Sequence, residues 1–302
     1  MITRSQDMQA WSAGVHDVGE TIGFVPTMGS LHRGHLSLIE KARAAADRVV
    51  VSIFVNPLQF GPGEDFEAYP RTRESDLEAL ATVGVDQVFI PGLSDIYPDG
   101  PEHTATVSAG PLGDVLEGHH RPGHFDGVLT VVARLFDLVA CDVAVFGTKD
   151  AQQLIAIEQM VAKEQRSIRI IRGGIVRDDD GLALSSRNVY LTPENRADAL
   201  ILHRELQAIE NSAHHSRPTA TGNPTDPLER IEQARHTLLV APGIELDYLE
   251  AVSSDTFTPW EEQPTGEMVV VGAIRVGTTR LLDNVWLDSD TVLRTAAADG
   301  PQ

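Results

Sequence analysis

Short apolar runs alternate along the chain with stretches in which apolar residues have helical spacing. Residues 22–25 form the first run and residues 49–55 the second, and later runs lie in VDQVFIP, VAVF and SIRIIRGGIV. Continuous apolar runs of about four to eight residues are typical of strands that are covered on both faces. Their alternation with helices predicts right-handed βαβ units and a doubly wound, Rossmann-like parallel sheet.

A turn and a helix with two histidines follow the first run. Pro26 is expected to end the strand, and residues 27–30 form a turn of small residues. From Leu31 onward the apolar residues have helical spacing, which places His32 and His35 at or near the helix N-terminus. The N–H groups and the positive dipole end at that point suit a phosphate. The pattern therefore predicts a nucleotide phosphate site.

The two histidines also have other interpretations. A pair on one helical face can bind zinc, but His32 and His35 have no glutamate between them and no obvious third ligand. They can also be an incidental surface pair. The glycine turn after a strand favours phosphate binding, because an imidazole N–H can donate to developing negative charge. No metal site is predicted.

Polar residues follow the predicted strands at the edge where α/β sheets bind ligands. Asn56 precedes Pro57 and is held extended, and Gln59 follows in a long loop rich in glycine and proline. Lys149 lies between the strand VAVF and the next helix, a position that suits phosphate binding. Considered alone, Gln59 and Lys149 would ordinarily be surface residues.

Further segments have weaker signals. A short helix is predicted over residues 75–82 with a serine cap, and residues 118–127 are expected to form a histidine-rich loop. The composition changes near Arg177, and Thr192-Pro193 resembles a helix start. Low apolar content predicts a flexible loop at residues 211–227. A helix around residues 228–239, two strands and a final apolar stretch follow, and the terminal residues 295–302 are expected to form a disordered tail.

Length and charge narrow the possible functions. A chain of 302 residues fits two domains, predicted here as residues 1–175 and 176–302. The formal net charge of −20 argues against broad binding to nucleic acid or to an anionic membrane. Cys141 is the single cysteine, which excludes an internal disulfide and fits a reducing cytoplasm. The chain has no apolar signal core and no uninterrupted membrane span, so a soluble cytoplasmic protein is expected.

Five motifs occur in one order along the chain: PTMGSLHRGH, VNPLQFGPGEDFEAYPRT, RPGHFDGV, GTKDAQQL and DGLALSSRN. Together they resemble the pantothenate synthetase (pantoate–β-alanine ligase) family, and GAIRVGTTRLLDNV resembles its C-terminal domain. The resemblance covers nearly the whole chain apart from its ends and residues 211–227. It implies a nucleotidyltransferase-type Rossmann domain, a smaller α+β lid domain and a homodimer. The motif around His32 and His35 matches the HxGH signature, and the LSSRN segment resembles a KMSKS-type phosphate loop.

The resemblance also implies roles for individual residues. His35, His32, Lys149 and Arg187 are implied to be catalytic, and pantoate is implied to contact Gln59, Gln153 and Asn56. The residues implied to bind ATP lie in four segments of the sequence: Met28, Gly29, Ser30, Leu31, His32, Arg33, Gly34, His35, Gly147, Thr148, Lys149, Asp150, Val176, Leu184, Ser185, Ser186 and Arg187. Two positions depart from the family pattern, namely Thr148, where glutamate is usual, and Ala151, where an aromatic residue is usual. Neither change removes a polar contact residue.

The implied reaction joins pantoate and β-alanine at the expense of ATP, with Mg²⁺ bridging the β- and γ-phosphates. Two alternatives remain open. A nucleotidyltransferase for a phosphorylated substrate would stop after nucleotidyl transfer, and a regulatory module would bind ATP without turnover. A role in charging tRNA is disfavoured by the net charge and by the lack of an anticodon-binding domain.

Overall fold

The computed structural model describes residues 1–215, 227–260 and 266–287. Two compact units can be distinguished. Unit 1 comprises Met1–Thr148 and Gln152–Val176, and unit 2 comprises Lys149–Ala151 and the described residues from Arg177 onward. The predicted division at residue 175 into a nucleotide-binding domain and a lid stays a prediction. Within the described ranges, no helix is both long and apolar enough to cross a membrane.

Residues 1–176, all of which the structure describes, contain five strands connected by helices. In chain order these elements are α1 Ser5–Asp17, β1 Ile22–Thr27, α2 Arg33–Ala45, β2 Arg48–Ile53, α3 Arg73–Thr82, β3 Gln87–Phe89, α4 Leu93–Ile96, α5 Glu117–His120, α6 His124–Val139, β4 Val143–Gly147, α7 Ala151–Lys163 and β5 Arg169–Gly173. The strands of this segment form one five-stranded parallel sheet in the order β3-β2-β1-β4-β5. The predicted doubly wound sheet is confirmed.

Adjacent residues of β1 show how the helices cover both faces of the sheet, because successive side chains on a strand point to opposite faces. At Gly23 a Cβ atom would lie 3.1 Å from the Ala42 carbonyl oxygen, so the lack of a side chain lets α2 approach closely. The next residue, Phe24, packs edge-on against Phe136 of α6 with a ring-centroid distance of 6.4 Å. Helices α2 and α6 therefore lie on opposite faces of β1.

The expectation that Pro26 ends β1 is wrong, because the strand continues to Thr27. Pro26 pairs in register with Ser52 of β2, whereas the β4 ladder stops at Phe24. Pro26 thus lies where β1 has a neighbour on one side, a position at which a missing N–H costs no ladder bond.

The strand order reverses between β1 and β4, which places the switch point of the doubly wound sheet between these two strands. In such sheets ligands bind in the crevice outside the carboxyl ends of the strands at the switch point. The carboxyl end of β1 leads directly into the turn and helix that contain His32 and His35. The fold thus supports the predicted place of the site.

Unit 2 packs two helices against an antiparallel sheet. Its elements within the described ranges are α8 Pro193–His215, α9 Pro227–Val240, β6 Ile244–Ser253, β7 Met268–Val276 and β8 Thr279–Leu287. These strands have the order β6-β7-β8. Leu206, Ile209 and Leu238 of the helices share one buried apolar core with Leu249 and Val270 of the sheet.

Three local expectations are wrong. Helix α3 begins at Arg73 after the cap residue Thr72, not at Ser75. The histidine-rich segment is largely helical, since α5 and the first turn of α6 fall within it. Helix α8 extends to His215, so the first residues of the predicted 211–227 loop are helical, and Pro227 already begins α9. The remaining loop residues, 216–226, and the predicted tail at 295–302 lie outside the described residues.

Candidate functional site

The turn after β1 is held by a carboxylate from α3. Asp76 is buried, and its two oxygens accept hydrogen bonds from the main-chain N–H groups of Ser30 at 3.0 Å and Leu31 at 2.7 Å. Gly29 adopts a φ of +85°, and a Cβ atom at this position would lie 3.0 Å from an Asp76 oxygen. Ser30 also has a positive φ of 51°. The conformation of the turn therefore depends on the positive φ of Gly29 and on the Asp76 carboxylate, which holds the main chain at Ser30 and Leu31.

His32 and His35 meet at the start of α2, as the helical spacing predicts. His32 is the N-cap residue, and its main-chain N–H donates to Nδ1 of His35 at 3.3 Å. The two rings are 4.1 Å apart between centroids. Because a main-chain N–H can only donate, Nδ1 of His35 acts as the acceptor and its Nε2 carries the hydrogen of the neutral ring. His35 thus has a donor at Nε2, which is suited to an anionic oxygen.

Asn56 follows β2 and is buried with a relative exposure of 1%. Its Nδ2 donates to the Gly127 carbonyl oxygen at 3.0 Å and to Oε1 of Gln59 at 3.2 Å. Its Oδ1 accepts from the Tyr97 hydroxyl at 2.7 Å and from the Leu58 N–H at 3.3 Å. Asn56 therefore connects the start of the 3₁₀ turn Pro57–Gln59 to α6 and to Tyr97.

Gln59 reaches back to the histidine-containing segment. Its Nε2 donates to the sulfur of Met28 at 3.0 Å. The structure thus brings together Gln59, which is predicted to contact pantoate, and Met28, which is predicted to contact ATP. The main-chain oxygen of Gln59 accepts from Nδ1 of His124 at 2.8 Å and from Nη2 of Arg121 at 3.1 Å. Both the side chain and the backbone of Gln59 are thus held by neighbouring elements.

His124 is neutral in this arrangement. Burial, reinforced by the nearby positive charge of Arg121, lowers the pKa of His124 to about 4. With Nδ1 donating to the Gln59 carbonyl oxygen, Nε2 carries no hydrogen and faces Nη1 of Arg121 at 3.1 Å. Arg121 in turn pairs with Glu64 at 2.6 Å and with Glu117 at 3.5 Å. The charge of Arg121 is therefore balanced by carboxylates, while His124 contributes none near neutral pH.

The two glutamines at the start of α7 have different environments. Gln152 is buried. Its Nε2 donates to the carbonyl oxygens of Leu112 and Val115 at 2.7 and 2.8 Å, and its Oε1 accepts from the Glu117 N–H at 3.1 Å. Gln153, the residue predicted to contact substrate, is half-buried. Gln152 is therefore structural, and Gln153 is the more accessible residue of the pair.

Lys149 lies in the 3₁₀ turn Thr148–Asp150, and its Nζ is 3.3 Å from an oxygen of Asp150. Within unit 2, the main-chain oxygen of Lys149 accepts a 2.7 Å hydrogen bond from Asn284 of β8. Asn284 is buried and also accepts from the Trp286 indole at 3.0 Å. The backbone of Lys149 is thus fixed, whereas its ammonium group has a partner that is 45% exposed.

The serine-rich segment is also anchored in unit 2. Ser185 caps the 3₁₀ turn Ser186–Tyr190 by accepting from the Arg187 N–H at 3.3 Å, and Asn188 donates to the Ala183 carbonyl oxygen at 3.0 Å. Just before this segment, Arg177 forms a two-pronged ion pair with Asp283 at 2.6 and 2.9 Å. The segment is therefore an ordered turn.

Most of the other predicted ATP-binding residues are partly accessible. Gly29 is buried and Arg33 is exposed, and the half-buried remainder is Met28, Ser30, Leu31, Gly34, Gly147, Thr148, Asp150, Val176, Leu184 and Ser186. Ala151, the second departure from the family pattern, is buried at the start of α7. In the described ranges, no group of three or more His, Cys, Asp or Glu side chains is arranged to hold a metal ion.

Sequence reasoning missed four residues that organise the site. Asp76 lies inside the helix predicted over residues 75–82 with no signal for a contact with the turn after β1, and Tyr97 has no local signal. Arg121 and His124 fall in the segment predicted to be a histidine-rich loop, although RPGHFDGV is one of the motifs that carry the resemblance. Cys141 is buried.

The sequence matches one known protein family over most of its length. A family model described as pantoate-beta-alanine ligase matches residues 1–286. The chain belongs to this family. A protein of Koribacter versatilis named pantothenate synthetase is 48% identical over 284 residues, covering 94% of each chain. One of Acidothermus cellulolyticus with the same name is 52% identical over 269 residues, covering 87% of this chain and 84% of that protein.

Solved structures of the pantoate–β-alanine ligase family have the same fold. Pantothenate synthetase from Thermus thermophilus matches with a TM-score of 0.83 and 42% identity, covering 94% of this chain and 98% of that chain. The pantoate-beta-alanine ligase of Francisella tularensis matches with a TM-score of 0.70 and 33% identity, covering 95% and 97%. The Francisella structure is a complex with beta-gamma ATP and β-alanine. The family resemblance inferred from the motifs is confirmed.

Proposed function

We propose that this chain catalyses the ATP-dependent condensation of (R)-pantoate with β-alanine to pantothenate, releasing AMP and pyrophosphate. Membership of the pantoate–β-alanine ligase family over residues 1–286 carries this proposal. The Francisella relative, whose structure contains beta-gamma ATP and β-alanine, supports ATP and β-alanine as ligands. The enzyme is accordingly a ligase that forms an amide bond.

The chemistry requires an activated acyl group. A carboxylate and an ammonium do not condense unaided near neutral pH, because hydroxide is a poor leaving group. In the proposed first step the carboxylate of pantoate attacks the α-phosphorus of ATP, and pyrophosphate leaves. In the second step the neutral amine of β-alanine attacks the carbonyl carbon of pantoyl adenylate, AMP leaves, and the amine loses a proton. The protein mainly positions the reactants and stabilises developing charge.

In unit 1 we assign the nucleotide to Met28, Gly29, Ser30, Leu31, His32, Arg33, Gly34 and His35, with Gly147 and Thr148 also in contact. His35 is the principal donor, since its Nδ1 accepts from the His32 N–H and the ring therefore carries its hydrogen on Nε2, the atom assigned to a phosphate oxygen. His32 supports it as N-cap residue and ring neighbour. The start of α2 adds N–H groups and a positive dipole end.

In unit 2 we assign Lys149, Ser185, Ser186 and Arg187 to the phosphates. Asp150 and Leu184 of unit 2, together with Val176 of unit 1, are assigned to the rest of the nucleotide. Lysine supplies a point charge, and arginine can bind two phosphate oxygens at once. The anchored backbone of Lys149 and the capped turn at Ser185 support these roles, because ordered groups lose less entropy on binding.

Gln59, Gln153 and Asn56 are assigned to pantoate. Neutral amides suit a substrate with hydroxyl groups, because they can donate and accept without burying a charge. Mg²⁺ is proposed to neutralise phosphate charge. Mg²⁺ is usually held by substrate phosphate oxygens, several waters and one or two carboxylates.

The family resemblance further supports a C-terminal lid domain over residues 176–302, a homodimer and a cytoplasmic enzyme as parts of the proposal. A lid would protect the adenylate from hydrolysis.

AMP release and pantothenate formation, measured with each substrate omitted in turn, test the proposed function. We expect AMP and pantothenate in equal amounts, with both pantoate and β-alanine required for sustained turnover. AMP formation independent of both would contradict the proposal. Pyrophosphate release without any amide product would instead indicate a nucleotidyltransferase, and ATP binding without turnover a regulatory module.

A further inference from the structure

A buried relay of hydrogen bonds leads from Tyr97 to the proposed substrate-binding residue Gln59. The Tyr97 hydroxyl is 2.7 Å from Oδ1 of Asn56, and Nδ2 of Asn56 is 3.2 Å from Oε1 of Gln59. Nε2 of Gln59 then faces the sulfur of Met28 at 3.0 Å. Tyr97, Asn56 and Gln59 are all buried, with relative exposures of 2%, 1% and 8%.

Two backbone groups fix the direction of this relay. The Leu58 N–H can only donate, so the Asn56 atom that faces it at 3.3 Å must be the oxygen. The Gly127 carbonyl oxygen can only accept, so the Asn56 atom at 3.0 Å from it must be the nitrogen. The amide of Asn56 therefore has one orientation, set by these two backbone groups.

This orientation sets the roles of the two neighbours. Since the Tyr97 hydroxyl lies on the oxygen side of Asn56, it must donate its hydrogen, and burial keeps it protonated by raising the pKa of Tyr97 above its usual range. Since Oε1 of Gln59 lies on the nitrogen side, it must accept. The NH2 group of Gln59 is consequently the end that is turned away from the relay.

Asn56 itself has no capacity left for a ligand. A carboxamide can donate two hydrogens and accept at two lone pairs. In Asn56 the hydrogens go to Gly127 and Gln59, and the lone pairs accept from Leu58 and Tyr97. A direct contact with substrate would require one of these buried bonds to break.

We propose that Tyr97 and Asn56 are positioning residues that orient Gln59 so that its amide NH2, and not its carbonyl oxygen, faces pantoate. This inference rests on the proposed function and reassigns Asn56 from a direct to an indirect role. An outward NH2 selects acceptor oxygens, such as the carboxylate or hydroxyl oxygens of pantoate. Without the Tyr97 hydroxyl, Asn56 keeps its orientation through Leu58 and Gly127 but loses one of its four hydrogen bonds, so it holds the Gln59 amide less firmly in the orientation that presents NH2.

The test compares Tyr97→Phe with Ser12→Ala. Each variant removes one buried hydroxyl that donates a 2.7 Å hydrogen bond, but Ser12 bonds the Val139 carbonyl oxygen and has no part in the relay. We expect Tyr97→Phe to raise KM for pantoate by about 3- to 10-fold, the factor for losing one hydrogen bond. KM for ATP should stay within about twofold of wild type, because the relay ends at Gln59. Ser12→Ala should lower the melting temperature only.

A double-mutant cycle separates positioning from general packing. Tyr97→Phe is introduced into wild type and into Gln59→Leu, and kcat/KM for pantoate is measured at raised enzyme concentration so that slow variants still give a rate. If Tyr97 acts through Gln59, its substitution should have almost no further effect in the Gln59→Leu background. An equal factor in both backgrounds, or an unchanged KM for pantoate in Tyr97→Phe, would overturn the inference.

The wild-type arm distinguishes this inference from the proposed function. Wild-type enzyme without pantoate-dependent AMP release would overturn the proposed function, and the inference with it. Wild-type enzyme that is active, with variants that do not follow the expected pattern, would overturn the inference alone.

Discussion

The carboxylate of Asp76 accepts a 2.7 Å hydrogen bond from the main-chain N–H of Leu31. Its other oxygen accepts from the Ser30 N–H, so one buried side chain fixes the turn that precedes the two histidines. Asparagine has the same shape but only one acceptor oxygen, and its NH2 would face an N–H group. We therefore expect Asp76→Asn to lose about 1–3 kcal/mol of stability and to lower the rate of AMP formation at least about tenfold.

The control for Asp76→Asn is Asp95→Asn. Asp95 accepts a 2.9 Å hydrogen bond from the Ser5 N–H, far along the chain from the histidine turn. Thermal unfolding and AMP formation are measured for both variants. Equal activity of the two, despite a lower melting temperature of Asp76→Asn, would show that Asp76 stabilises the fold without positioning the turn.

Two substitutions of His35 separate the structural role of its Nδ1 acceptor from the proposed catalytic role of its Nε2 donor. Asparagine places an acceptor near the position of Nδ1 and can keep the bond from the His32 N–H, but it lacks the outer donor. Glutamine reaches the position of Nε2 and keeps a donor, but it loses the inner acceptor. We expect His35→Asn to lose about 100- to 1000-fold in kcat and His35→Gln to lose less. Melting temperatures should have the opposite order, and kcat values that follow the order of stability would contradict the donor role.

Close packing at Gly127 should be essential for the position of the 3₁₀ turn that contains Gln59. A Cβ atom at Gly127 would lie 2.2 Å from the Leu58 carbonyl oxygen, whereas one at Gly14 of α1 would meet no described atom within 4 Å. Gly127→Ala should destabilise the protein by about 1–3 kcal/mol and raise KM for pantoate, while Gly14→Ala should stabilise it by up to about 1 kcal/mol. Urea unfolding of both variants checks this, and similar effects of the two would refute the close contact.

The sequence predicted the sheet because its strands are continuous apolar runs separated by helices, a pattern that depends on neighbours in the chain. It also predicted the place of His32 and His35, because both follow a strand directly. Residue spacing gave no sign of long-range contacts. Asp76 lies 45 residues after Leu31, and Tyr97 lies 41 residues after Asn56. Each has a plausible local role, one as an acid in a first helical turn and one as an apolar core residue, and that local role conceals its contact with the site.

The errors at secondary-structure boundaries have similar causes. Pro26 is a strand breaker by local rules, yet it is tolerated because β1 lacks a ladder partner on the β4 side at that point. His124 belongs to a segment that looks like a polar loop, but it is buried at the start of α6 against the Gln59 backbone. Both outcomes depend on which elements become neighbours in the folded chain.

Acid should destabilise the protein in part through His124. Its pKa of about 4 in the folded state, lowered by burial and by Arg121, lies below the ordinary value of 6.5. Above pH 6.5 both states are neutral, and as the pH falls toward 4 only the unfolded state gains the proton. The free energy of unfolding should therefore fall across this window, by up to about 3 kcal/mol from this group. The charged residues that face the ring, namely Glu64, Glu117 and Arg121, are the same in wild type and in the His124→Asn variant.

His124→Asn isolates this contribution, because the amide can still donate to the Gln59 carbonyl oxygen but does not titrate. Urea unfolding of wild type and variant is followed from about pH 7 to about pH 4. As the pH falls, the free energy of unfolding should decrease more for wild type than for the variant. A difference that does not change with pH would show that His124 is not held neutral in the folded state.

Isotope exchange between pyrophosphate and ATP tests the central claim most directly. If the site forms pantoyl adenylate, labelled pyrophosphate should enter ATP in the presence of enzyme, Mg²⁺ and pantoate, without β-alanine. Addition of β-alanine should draw the adenylate toward AMP and pantothenate and so reduce the exchange, and His35→Ala should abolish most of it. Exchange that proceeds without pantoate, or exchange that requires β-alanine, would contradict the two-step reaction at this site.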